Sequence, residues 1–293
     1  MDCYPNQNFY FLIYLFFFIF TITLLSLNEV YKMKLLARDN NTKLIKTAKG
    51  SKVPVVLAGL SMMPTLALCP NSKKAQCLEL CLKDSGFSEV FDSVNIARQK
   101  KTDWFMNDRD GFLQQLKREL TNLDKYAKKH NKKAIVRLNV LSDIPFERYN
   151  IPQQFPNIKF YDYTKRSNRL GRMPKNYGLM FSWSGADDYQ IEVNNALKTD
   201  TPITVVFSKE LPEYYLGRKV YNGDISDLDN LDQKNMVIGL LLKGNKNKKD
   251  FELNGSDFVV DSDRIDHKLE FDLYQSKQLN DWANTLIPTR EIA

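Results

Sequence analysis

Two histidines and four cysteines in 293 residues leave little for the commonest metal and hydrolytic chemistries. His130 stands among lysines at the end of a helical pattern and His267 lies in a polar stretch. Neither has a neighbour that completes a Ser/His/Asp triad or a His-ligated zinc site, which argues against both chemistries. The cysteines are unevenly spread: Cys3 stands alone, while Cys69, Cys77 and Cys81 fall close together. That is not the dispersed framework of a small disulfide-stapled secreted protein, and it points to a reducing compartment. Clustered thiols there serve metals or catalysis more often than disulfides. No repeat of fixed period is present.

With 43% hydrophobic and 26% charged residues, the chain can bury a substantial core as one large domain or two small ones. Its net charge of +7 favours an anionic associate such as nucleic acid, a phosphorylated ligand or an acidic membrane face. Asp and Glu are interspersed throughout, so an ordinary solvated basic surface competes with a dedicated nucleic-acid site.

Residues Phe9 to Leu27 are uncharged and 19 long, about 28 Å as a helix, close to the hydrocarbon thickness of a bilayer. Asp2 precedes this tract, and Lys32, Lys34, Arg38, Lys43 and Lys46 follow it, so a membrane helix here leaves the rest of the chain in the cytoplasm. A cleaved signal peptide fits less well, because its leading region should be basic. Met33 also begins an ordinary start, Met33-Lys34-Leu35-Leu36, and the tract is unlike everything after it. Anchor and upstream mis-start both stay open. The expected organisation is an apolar segment over 1–32, an α/β domain over 33–260 and a polar tail over 261–293.

Strand-like runs fall at Val53 to Leu60, Ala134 to Leu141, Ile158 to Tyr163, Tyr177 to Trp183, Ile203 to Ser208 and Met236 to Leu242. Helical patterns fall at 87–106, 109–129 and 186–197; in the second, Phe112, Leu113, Leu116, Leu120, Leu123 and Ala127 recur on one face. Strand-then-helix order predicts a parallel sheet with outer helices, read as a partial (β/α) barrel. Lys243 to Lys249 reads as a solvated loop, Asn222-Gly223-Asp224 as a turn, and the stretch after Asp261 as weakly patterned.

In such folds ligands meet the carboxyl ends of the strands, where polar residues follow apolar runs. Arg137, Asn139, Asp143, Asp162 and Lys165 are the candidate substrate-facing residues. Alternation puts Arg137 and Asn139 on one face, and an arginine among Ile, Val and Leu needs either a ligand or a buried partner such as Asp143 or Asp162. Tyr163-Thr164-Lys165-Arg166 suits a phosphate or carboxylate, or is a charged loop.

Cys69, Cys77 and Cys81 are separated by seven and then three residues. On a helix, Cys77 and Cys81 share a face, and Pro70 can turn Cys69 back toward them. Three thiolates leave one coordination position open, which suits an iron–sulfur cluster with an exchangeable iron, or a zinc that keeps a water. The bland alternative is three small buried residues.

This layout, three cysteines in the loop after the first strand of a partial barrel, resembles that of radical S-adenosylmethionine enzymes, although their usual spacing is three and then two. The resemblance implies a cluster on Cys69, Cys77 and Cys81, S-adenosylmethionine on the open iron, and Arg137, Asn139, Asp143, Asp162 and Lys165 along the substrate end. A nucleotide or nucleic acid is the substrate class that suits the basic charge. The rival reading is a non-catalytic protein that binds zinc or nucleic acid. The stretches CPNSKKAQCLELCL, RLNVLSDIPFE and FYDYTKRSNRLGRMPKNYGLMFSWSG resemble the phage gene product 88 family, from about Asn41 to Val260. That resemblance implies a phage or viral origin and a start near Met33.

Overall fold

The computed structural model describes residues 33–38, 53–84 and 90–286. The apolar tract 9–27 lies outside them, and no described helix is long and apolar enough to cross a membrane.

Among the described residues the strands are β1 (Leu36–Arg38), β2 (Val55–Leu60), β3 (Lys133–Arg137), β4 (Lys159–Thr164), β5 (Tyr177–Ser182), β6 (Ile203–Phe207), β7 (Tyr214–Tyr215), β8 (Arg218–Asn222), β9 (Val237–Leu241) and β10 (Val259–Val260). They form one sheet in the order β1-β2-β3-β4-β5-β6-β9-β8-β7, with β10 paired to β6. From β2 to β8 every neighbour along this path is parallel. Strands β2 to β6 therefore lie side by side in chain order, the consecutive winding that a (β/α) barrel also uses. The barrel does not close, because antiparallel β1 occupies the outer side of β2 and the β7–β8 hairpin ends the other edge. The sheet is open, which corrects the barrel expected from the alternation of elements.

The helices are α1 (Asp92–Asn107), α2 (Arg109–Lys129), α3 (Ile151–Gln154), α4 (Gln190–Leu197), α5 (Asp227–Leu231), α6 (Asn245–Asn254) and α7 (His267–Leu286). In α2 the expected stripe is buried at Phe112, Leu116, Leu120, Leu123 and Ala127, and the Asp108 carboxylate caps the helix by accepting from Gly111 N at 2.9 Å. Alternation decides which face each strand residue serves. Val56, Ala58, Val136, Phe160, Phe181, Ile203 and Val205 join the main core with α1, α2 and α4. On the opposite face Leu57, Ile135, Tyr161 and Met180 form a second cluster with Leu228 and Leu231 of α5. Beyond it, at the carboxyl ends of the strands, this face is lined by Gly59, Arg137, Tyr163, Lys165, Ser182 and Thr204 and opens into a cavity.

Strands β5 and β6 pair only at Phe181↔Ile203 and Ser182↔Thr204; beyond that point β10 takes over the free side of β6, with Val259 opposite Val206. The wedge brings Phe258 to the cavity wall. Two stretches without apolar periodicity are also helical. The expected loop Lys243 to Lys249 instead runs, from Asn245 onward, into α6, whose buried Asn247 donates from Nδ2 to the carbonyls of Leu80 and Cys81, each at 3.3 Å. Residues 267–286, in the expected tail, form α7, which packs Tyr274 and Phe271 on Tyr214.

Candidate functional site

The cavity has a volume of about 1240 Å³ and is walled by the cysteine loop on one side and the strand ends on the other. Residues 61–81 leave β2 as a series of turns, with no helix carrying Cys77 and Cys81. Long-range contacts hold this loop in place. Asn71 Nδ2 donates to the Lys165 carbonyl at 2.8 Å and Asp143 N donates to the Leu68 carbonyl at 2.9 Å. Gln76, at φ 49°, exchanges bonds with Asp257: its Nε2 donates to Oδ2 at 3.0 Å, and Asp257 N donates to its Oε1 at 3.2 Å.

Cys69, Cys77 and Cys81 form no disulfide, and all three are partly buried at the cavity wall. The Cys69 thiol donates to the Leu141 carbonyl at 3.5 Å and the Cys77 thiol to the Ser72 carbonyl at 3.6 Å. Burial pushes the Cys69 thiol up, and Asp143, Cys81 and Cys77 add to the rise; burial also raises Cys77, against the opposing charge of Lys165. Both are protonated thiols near neutrality. The expected convergence of the three as ligands is not found: among the described residues no group of three or more His, Cys, Asp or Glu side chains is arranged to hold a metal ion. Two of the thiols face loop carbonyls instead of one another.

Of the five strand-end candidates, Arg137, Asn139, Asp143 and Lys165 line this cavity with the cysteines. Asp162 does not. It points from β4 toward the helix side, where its carboxylate accepts from Asn139 N at 2.7 Å, Asn139 Nδ2 at 2.9 Å and the Tyr177 hydroxyl at 2.5 Å. Asn139 is fully engaged in the same place, since its Oδ1 accepts from Ile144 N at 2.7 Å and Ser142 Oγ at 2.9 Å. Asn139 therefore shapes the rim as a loop closure.

Arg137 finds neither Asp143 nor Asp162. Its partner is Asp227 at the start of α5, 3.7 Å from Nη1 and itself fully buried, which also accepts from the hydroxyls of Tyr161 at 3.0 Å and Tyr163 at 2.7 Å. The guanidinium lies over the Tyr163 ring at 4.6 Å, and its Nε is buried with no hydrogen-bond partner. Burial works against the charge of Arg137, but Asp227 and the two tyrosines outweigh it and raise its pKa. Asp143 is held from behind: it accepts from Thr164 Oγ1 at 2.8 Å, Lys165 N at 2.9 Å and Arg169 Nη1 at 2.6 Å.

Lys165 differs from the other buried charges. Its Nζ lies 3.0 Å from Ser182 Oγ and stands over the rings of Phe258 at 4.3 Å and Tyr189 at 5.5 Å. Burial lowers its pKa, and Cys77, Asp143, Cys69 and Cys81 oppose that fall without cancelling it. Ser182, Thr204, Phe258 and Asp227 are site residues beyond the five candidates. Ser182 and Thr204 carry a signal in the sequence, a hydroxyl on the cavity-facing register of an apolar strand; Asp227, far along the chain in a short helix, carries none.

These features define a class: an open α/β protein of consecutively wound parallel strands, with a cysteine loop after the first of them closing a cavity at their carboxyl ends. Residues 34–255 match the model of the family described as gene product 88, and the chain belongs to that phage protein family. No curated protein and no solved structure matches the chain.

Proposed function

We propose that the cavity is the seat of an iron–sulfur cluster held by Cys69, Cys77 and Cys81, and that the protein is a radical S-adenosylmethionine-type enzyme of the host-cell cytoplasm acting on a nucleotide or nucleic acid. The observation that carries this reading is the presence of three cysteines outside any disulfide on one cavity at the carboxyl ends of strands wound in chain order. The donor set fits the group. Three thiols with no histidine beside them suit iron better than zinc and leave one iron position open. The Cys69 and Cys77 thiols are held by long sulfur-to-carbonyl contacts, at 3.5 and 3.6 Å, which a side-chain rotation would release. Once bound, the cluster supplies one-electron chemistry to S-adenosylmethionine at its open position.

The chain's own residues supply the rest. Lys165 places a cation in the same cavity as the three sulfurs, where it favours the charge they acquire on losing their protons. Arg137, paired with Asp227, adds a second, largely buried cation to the cavity lining. Leu240, Leu242 and Phe258 supply an apolar part of the lining.

The test is anaerobic purification of the full chain with measurement of iron, sulfide, zinc and visible absorption, beside a variant with all three cysteines changed to alanine. About four irons and four sulfides per chain, lost in the variant, are expected. Stoichiometric zinc would transfer the reading to a zinc-binding viral protein, and a stable metal-free chain would end it.

A further inference from the structure

The cysteine wall accounts for only part of the cavity. On the strand side, three polar groups stand in one row across three neighbouring strands: Lys165 just past the end of β4, Ser182 at the end of β5 and Thr204 in β6. Register aligns Ser182 with Thr204, and continuing the β4–β5 register one step beyond Thr164↔Phe181 brings Lys165 opposite Ser182. Adjacent strands are about 4.8 Å apart, so the row spans roughly the width of a phosphate or carboxylate and its hydrogen bonds.

Two independent features mark this row as built to receive something. The Lys165 ammonium is buried, and among the described residues no carboxylate lies within ion-pair distance of it; its contacts are Ser182 and two aromatic faces. The Thr204 hydroxyl, in a residue only 3% exposed, has no hydrogen-bond partner at all. A buried cation short of an anion and a buried hydroxyl short of an acceptor are each costly alone, and a single anionic group answers both. Ser182 Oγ accepts from Lys165 and keeps its own proton to donate. The rest of the lining agrees in sign: Arg98, Lys101 and Arg137 face the cavity against Asp143, while Lys243 and Asp224 are paired with each other.

We propose that Lys165 Nζ, Ser182 Oγ and Thr204 Oγ1 form an anion-binding row that seats the phosphate or carboxylate of the reactant, whose apolar body lies against Leu240, Leu242 and Phe258. This names the chemistry of the molecule entering the cavity and rests on the preceding reading only for its being the reactant.

The experiment is calorimetric titration of the full chain, purified anaerobically, with phenyl phosphate, phenylacetate and neutral benzyl alcohol. Saturable millimolar or tighter binding of at least one anion, and not of the alcohol, is expected; the tighter anion identifies the source of the charge. Lys165→Met weakens it at least about tenfold, as loss of a charge-assisted hydrogen bond should, and the near-isosteric Thr204→Val about three- to tenfold. Lys243→Met, at a half-exposed lysine already paired with Asp224, leaves it within about twofold. Undiminished binding in Thr204→Val, equal loss in Lys243→Met, or equal binding of benzyl alcohol would overturn the proposal, and Thr204→Val and Ser182→Ala keep it testable should Lys165→Met fold poorly. Iron and sulfide content measured on the same samples separates the two readings. An anion that binds a chain without iron leaves the row standing and removes the cluster, and an iron-loaded chain that binds no anion does the reverse.

Discussion

Arg169 Nη1 donates to Asp143 Oδ1 at 2.6 Å while its Nη2 reaches Glu147 Oε2 at 2.9 Å, so one guanidinium ties the rim of the cavity to the turn behind it. The Arg169 side chain is 1% exposed and the two carboxylates 8% and 11%, so solvent screens the pairs little. Removing one partner of such a pair leaves an uncompensated buried charge, worth about 3–5 kcal/mol. Arg169→Met is expected to lower the free energy of unfolding by about that amount in urea titration. Arg169→Lys should recover only part of it, since a single ammonium lacks the fork that serves both carboxylates. A loss below about 1 kcal/mol would show the triad to be dispensable.

Asp162 is the buried acid whose charge is least welcome. Burial raises its pKa from 3.8 to about 6, and the hydrogen bonds from Tyr177 and Asn139 oppose the rise without cancelling it. Because the folded value lies above the unfolded one, the folded chain holds the extra proton between about pH 4 and 6. Asp162 alone therefore makes stability fall as pH rises through that window and leaves it level above, by on the order of 3 kcal/mol in all. Asp162→Asn keeps one acceptor oxygen, for Asn139 N, replaces the oxygen that accepts from Asn139 Nδ2 and Tyr177 with an N–H donor, and does not titrate. The difference in unfolding free energy, wild type minus variant, is expected to decrease from pH 4 to 6 and then flatten, and an increase would contradict the raised pKa.

The parallel sheet was legible because its strands are apolar runs of the right length with charge between them, and the cysteine loop because Cys69, Cys77 and Cys81 stand so close together. Two features hid the rest. A side chain at a strand end can serve either face: Arg137, Lys165 and Asp162 all follow apolar runs, yet only the pleat, read from register, sends Asp162 to the helix side and the other two to the cavity. Long-range partners leave no local trace either. Asp227, which pairs with Arg137, sits 90 residues further on in a helix of five residues. Helix α6 escaped for a similar reason: Asn247 is its single fully buried residue, so it has no apolar stripe to read.

Gly223, in the turn after β8, is required by space. A Cβ there would meet Ile238 Cγ2 at 2.4 Å, Leu240 Cδ2 at 2.9 Å and the Gly239 carbonyl at 3.1 Å. Ile238 is a β-branched strand residue with little rotamer freedom, and the carbonyl is backbone, so neither yields easily. Gly223→Ala is expected to cost about 1–3 kcal/mol in urea titration, as overpacking does, and to shift Leu240 on the cavity wall. Unchanged stability would mean that the β8–β9 connection moves freely, and the turn would then have no bearing on cavity shape.

The thiols offer the most direct reading of the site's electrostatics. Iodoacetamide attacks the thiolate, so a thiol whose pKa is raised and whose sulfur is partly buried reacts slowly on two counts. Cys69 and Cys77 meet both conditions, and in chain freed of metal they should be alkylated at pH 8 at least about tenfold more slowly than in urea, resolved by peptide mass spectrometry. The two differ in what Lys165 does to them. For Cys77 that ammonium is the main influence opposing burial, whereas for Cys69 it is the weakest of five and acts against three other groups besides burial. Lys165→Met removes the cation, so the Cys77 thiol rises further and its alkylation slows more than that of Cys69. Faster alkylation of Cys77 in the variant would mean that Lys165 shields the sulfur sterically instead of favouring its thiolate. The lysine would then lose its place as the counter-charge of the cysteine wall.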